Sequence, residues 1–119
     1  MKLGVITDGI SRDLGHALGV MDEFDLGFAE LQFIGEKEVG DLDATERAAA
    51  LELIRRHDKQ VSCISRHLFA GMYMHEARSG DALHTKHMDA LKRCIEMAHQ
   101  FECGLVRIMT GKKEMILWG

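Results

Sequence analysis

The sequence predicts an α/β protein: a single domain over residues 1–119, in which short apolar strands alternate with amphipathic helices so that the strands run parallel. Three observations carry this expectation. Four apolar runs of strand length open at Leu3, Phe28, Val61 and Leu105. Each of the first three is followed by apolar residues at helical spacing. The composition, 46% hydrophobic and 29% charged in 119 residues, is that of an ordinary folded domain with one core, too short for two.

Taken in order, residues 3–7 form the first strand and Asp8-Gly9 a turn, with Ser11 the expected N-cap of a helix. Leu14, Ala17, Leu18 and Met21 fall on one face of that helix, which should close near Gly27. Residues 28–34 make the second strand, followed by a loop over residues 35–42. Asp43 and Glu46 have the form of a capping box, opening a helix that turns Ala48, Leu51 and Ile54 to the sheet and ends near His57 or Asp58. Residues 61–69 are the third strand, and a longer connection over residues 70–83 holds Met72, Tyr73, Met74 and His75. A third helix over residues 85–101 should bury Met88, Leu91, Ile95 and Ala98, and residues 105–109 are the fourth strand. The tail, residues 110–119, carries Met115 to Trp118 and either folds back or lacks what would cover it.

Several function classes are disfavoured. The net charge of −4 comes from interspersed acids and bases without a basic stripe, so no nucleic-acid partner is expected. No apolar run approaches the length of a membrane span, and no leader-type apolar segment opens the chain. Cys63, Cys94 and Cys103 are widely spaced, which argues against a disulfide framework or a thiolate zinc site and for a reducing cytoplasm.

Candidate functional residues follow from where parallel sheets place their ligands, at the carboxyl ends of the strands. Glu30 and Arg107 are charges set inside apolar strands, FAELQF and LVRIM, where an unpartnered charge is too costly to persist. They are either a pair at the floor of a pocket or a structural ion pair. Asp8 ends the first strand, as a pocket residue or as the turn former. His67, with Ser65 and Arg66, ends the third and offers an acid, a base or a hydrogen-bond donor to a hydroxyl. His84 and His87 share a helix face but lack a third ligand nearby and are expected to be solvated. Residues 110–113, TGKK, are a weak phosphate-cradle signal, and Cys63 reads as core.

The segments KLGVITDGIS, FAELQFIG, VSCISRHLF and LKRCIEMAHQFECGLVRIMTG, in this order, resemble the amino-terminal half of the sugar phosphate isomerase/epimerase family, the xylose isomerase-like TIM barrels. The resemblance spans this chain but only about half of such a barrel, which takes roughly 250 residues. It implies a half or partial TIM barrel of about four strands. It also implies a sugar or sugar phosphate ligand, and metal-dependent proton transfer beside a sugar carbonyl. Members bind a divalent metal (Mn, Mg, Zn or Co) through ligands on later strands. No residue here matches one, and Arg66 and His67 depart from the family's small polar or proline-containing segment. The chain is therefore expected to be truncated, to bind no metal alone, to be catalytically incomplete, and to self-associate or pair with a carboxyl-terminal half. The alternative is a small flavodoxin-like open-sheet domain that binds a ligand or partner without catalysis, which would draw a fifth strand from the tail.

Overall fold

The computed structural model describes residues 1–73 and 78–112. The tail segment Met115 to Trp118 and the loop residues Met74 and His75 lie outside them.

Three strands, β1 (Gly4–Ile6), β2 (Phe28–Leu31) and β5 (Gln60–Ile64), form a parallel sheet in the order β1-β2-β5. A second, antiparallel pair is made by β3 (Phe33–Ile34) and β4 (Lys37–Glu38). The helices are α1 (Leu14–Glu23), α2 (Ala44–Arg56) and α3 (Ala82–Gln100). The fold is thus mixed α/β with a three-stranded parallel sheet. The fourth apolar segment lies parallel against β5 through a single bridge, Ile64 to Val106, with Ile64 N–H donating to the Leu105 carbonyl at 3.0 Å and Arg107 N–H to the Ile64 carbonyl at 2.9 Å. It stops short of a full strand because β5 ends at Ile64, leaving it little ladder to extend.

One core holds all three helices. Leu14, Leu18 and Met21 of α1, Ala50 and Ile54 of α2, and Ala90, Cys94 and Met97 of α3 pack against Ala29, Leu31, Val61 and Ile64. These strand residues point to one face of the sheet. The alternating positions Phe28 and Glu30 are only half-buried and line a shallow hollow of about 430 Å³ together with Lys2, Gly4, Ile6 and Ser62. Among the described residues no helix covers that face.

The helix ends share one device. Asp25, Asp58 and Glu102 each sit just beyond a helix with φ of 53°, 52° and 54°. In each case the next amide reaches back to close a Schellman motif: Leu26 N–H to the Met21 carbonyl at 2.9 Å, Lys59 N–H to Ile54 at 3.0 Å, and Cys103 N–H to Ala98 at 2.8 Å. Every helix is thereby turned back toward the sheet by the same three-residue geometry.

Local expectations were met unevenly. The buried face of α1 is the expected one, although its N-cap is Asp13, whose side chain accepts His16 N–H at 3.1 Å, and Ser11 lies two residues earlier, its Oγ accepting Asp13 N–H at 3.1 Å. The Asp43–Glu46 capping box is present. The expected second strand breaks at Gln32, and the expected loop contains the β3–β4 hairpin, made possible by Gly35 at φ 61°. Helix α3 is capped by Asp81 and its buried face is partly the expected one: Ala98 is buried and Leu91 packs against the core, Ala90, Cys94 and Met97 are buried besides, and Ile95 is 41% exposed. The smaller side chains let α3 approach Gly40, at φ 92°, where a Cβ would lie 3.0 Å from Cys94 Sγ. Ala48 is likewise exposed, and Ala50 takes its place.

A left-handed residue with a Cβ costs about 1–2 kcal/mol, less for Asp than for Glu because Asp bonds locally. Replacing Glu102 by Gly should therefore stabilise the fold by about 1 kcal/mol, read as a rise in the urea midpoint, and Asp58→Gly should do less.

Candidate functional site

Ser65 is the residue at which the polar side chains of the sheet meet. It follows β5 directly and is fully buried. Its Oγ donates to Glu30 Oε1, its carbonyl accepts from Arg107 Nη2 at 3.3 Å, and its N–H donates to the Leu31 carbonyl at 2.8 Å. Glu30 and Arg107 are therefore joined through Ser65, the first by its side chain and the second by its backbone. Among the described residues no direct ion pair links them, so the structural ion pair is replaced by a link through Ser65. Arg107 Nε is buried without a partner, a donor with capacity to spare. Cys63, expected in the core, is half-buried with its Sγ 3.3 Å from Ser65 Oγ. The bulge between Ala29 and Glu30, where Val61 and Cys63 pair with consecutive β2 residues, turns it to the polar side.

A second cluster stands beside the first. His67 is held by Glu38 of β4: Oε2 accepts the His67 backbone N–H at 2.8 Å and lies 3.0 Å from Nδ1. Gln32, at the break after β2, brings Nε2 within 3.0 Å of Nδ1 and 2.9 Å of Nε2 of the same ring. A point so close to both ring nitrogens cannot lie in the ring plane, where it would fall on ring carbon atoms, so Gln32 sits over the ring face. Phe33 flanks the ring at 6.3 Å between centroids.

Asp8 lies in the 3₁₀ turn Thr7–Gly9 after β1, and its Oδ1 accepts Phe33 N–H at 3.3 Å. It is a turn residue that also fastens the hairpin. Arg66 points away from both clusters: Nη1 donates to the Val39 carbonyl at 2.9 Å and lies 2.8 Å from Asp41, which Arg93 also contacts at 3.2 Å. These ties clamp the exit of the hairpin against α3. The sequence points to Glu30, His67, Arg107 and Asp8 as candidates but not to Glu38, on a hairpin strand inside the expected loop, nor to Gln32, at the break in the expected second strand.

His84 and His87 are half-buried, each with its Nδ1 engaged. His87 Nδ1 accepts Phe69 N–H at 3.0 Å with its ring stacked 5.1 Å from Phe69, and His84 Nδ1 accepts Gly80 N–H at 3.2 Å. Burial first, then the charges of Lys86 and Arg66, hold His87 below the ordinary imidazole range. Burial pushes the Cys94 thiol up to about 11, leaving it inert. Among the described residues no group of three His, Cys, Asp or Glu converges as a metal site.

Ser65→Ala would leave Glu30 without its donor and should cost about 1–3 kcal/mol of stability in urea unfolding. His87 binds its proton less well folded than unfolded, so its contribution is complete above the ordinary imidazole value of about 6.5 and is lost as pH falls through the lowered folded value. His87→Gln, which keeps an acceptor but no titrating ring, should flatten the fall of the urea midpoint between about pH 7 and pH 5. No family model, curated protein or solved structure matches the chain.

Proposed function

We propose that this chain is the amino-terminal half of a sugar phosphate isomerase/epimerase-like barrel, and that its strand ends form the sugar-holding wall of the pocket. The observation that carries the reading is the Glu30–Ser65–Arg107 junction on the helix-free face of a parallel sheet. Helices on one face only favour a barrel segment over a flavodoxin-like sheet, which is covered on both. Within that face a carboxylate accepts sugar hydroxyls, and a guanidinium with an unused buried N–H receives a hydroxyl or a phosphate oxygen. The proton transfer of the complete family barrel uses a divalent metal, and because the described residues do not form its ligand set, no step of this chain is routed through one. The edges of the sheet and its open polar face call for a partner, a second copy of the chain or a carboxyl-terminal half. The ligand set would come from there, and the isolated chain would bind without turnover.

Calorimetric titration of the chain with D-xylulose 5-phosphate and with D-xylulose tests this. Saturable binding is expected, tighter for the phosphate, and Arg107→Ala should weaken it about tenfold or more, the worth of a charge-assisted hydrogen bond. Absence of saturable binding to either sugar, or metal-dependent isomerisation by the chain alone, would overturn the reading.

A further inference from the structure

A second recess lies in the helix layer, apart from the sheet face that carries Glu30. It is a cavity of about 470 Å³ between the first turn of α1, the β3–β4 turn and the flank of α2, within the range of about 300–1,000 Å³ that small-molecule sites occupy. Its origin is local: Gly15, Gly35, Ala49 and Ala50 stand where larger side chains would fill the gap. A Cβ at Gly35 would meet nothing within 4 Å, and one at Gly15 would come no nearer to another atom than 3.4 Å. Leu14, Leu42 and Leu53 complete a lining that is mainly apolar, from which an apolar body displaces water favourably.

Five charged residues border the cavity, and three of them, Asp13, Lys37 and Glu46, are engaged. Lys37 Nζ donates to the two Glu46 carboxylate oxygens at 2.8 and 3.0 Å, and Glu46 also accepts Asp43 N–H at 2.9 Å. Asp13 is committed to the first turn of α1 through His16 N–H. Arg12 differs from these. Its guanidinium lies 4.4 Å over the Phe33 ring and its carbonyl accepts Gly35 N–H at 2.7 Å, so both its ends are held. Its anionic contact is Glu36 at 3.6 Å, a carboxylate 94% exposed, and a surface pair of that kind contributes little against water. A positioned guanidinium with N–H groups to offer therefore stands at the edge of an apolar recess.

We infer that this cavity binds a small monocarboxylate with an unbranched apolar tail, the carboxylate taken by Arg12 and the tail laid against Leu14, Leu42 and Leu53. The planar fork of the guanidinium matches a carboxylate with two parallel hydrogen bonds, and only the weak contact with Glu36 gives way. A more highly charged anion meets Asp13, Glu36 and Glu46 around the same edge, and their like charge opposes it. A single negative charge on an apolar tail is the chemistry that fits.

NMR titration of the ¹⁵N-labelled full chain with butanoate, hexanoate, octanoate and octanol tests this, read at the amides of Gly15 and Gly35. Saturable shifts at both amides are expected for octanoate, with affinity rising about fourfold for each added methylene, as burial of a CH₂ group dictates. Octanol, which lacks the charge, should bind about tenfold or more weakly than octanoate. Arg12→Gln, checked for folding by circular dichroism, should bring octanoate down to the level of octanol and leave octanol unchanged. Ala49→Phe, on the exposed flank of α2, should abolish binding of both by filling the recess. Absence of saturable shifts at Gly15 and Gly35, affinity indifferent to tail length, octanol equal to octanoate, or a folded Arg12→Gln chain without effect overturns the inference. The comparisons made on the wild-type chain decide the matter where a variant fails to fold. The titration uses no sugar, so its failure and that of the sugar-pocket reading are distinct.

Discussion

Parallel strands cannot be joined by a tight turn, and this constraint shapes nearly everything in the chain. Between β1 and β2, between β2 and β5, and between β5 and the segment at Val106, the backbone leaves the sheet, forms a helix and returns. Each return is made through the same left-handed Schellman turn, at Asp25, Asp58 and Glu102. Because all three helices share one core with Ala29, Leu31, Val61 and Ile64, the alternate strand residues are left on the other face. Helix packing on one side thus leaves the other face accessible, with Lys2, Glu30 and Ser62 set among Val5, Ile6 and Phe28.

That surface is organised by a buried hydroxyl. A lone carboxylate in the middle of a strand would be expensive to bury, and Ser65 reduces the cost by donating to Glu30 from the next strand. The same residue binds Arg107 through its carbonyl. Opposite charges are thereby kept near one serine without pairing directly, and Arg107 Nε is left without a hydrogen-bond partner. The β3–β4 hairpin adds the second group, carrying Glu38 to His67. Arg66, expected beside His67 at the strand end, instead joins Arg93 in holding the hairpin's exit in place through Asp41, Val39 and Gly40.

Much of the candidate site was legible because burial of charge is legible. Glu30 and Arg107 announced themselves as ions inside apolar strands, and His67 as a titratable group at a strand's end. Their partners were not, since Ser65 acts through a main-chain oxygen as well as its hydroxyl, and Glu38 lies in a segment of mixed polarity with no periodic pattern. The burial of α3 beyond its expected stripe has a similar origin, since Ala90 and Cys94 lie at the close approach to Val39 and Gly40 while Ile95 is left exposed.

What the sequence by itself determined is local: alternation of strand-length runs and helical spacing, the buried stripe of α1, the capping box at Asp43 and Glu46, and the placement of polar residues just past the strands. These depend on residues within a few positions of one another, so the pattern carries them. Only the tertiary structure decided that α3 also buries Ala90, Cys94 and Met97, that the fourth segment is held by a single bridge, and that residues 33–38 form a hairpin. It alone decided the pairing of Glu30 with Ser65 and of His67 with Glu38, across 35 and 29 positions of chain. Such contacts arise from the packing of whole elements, and no short-range spacing records them.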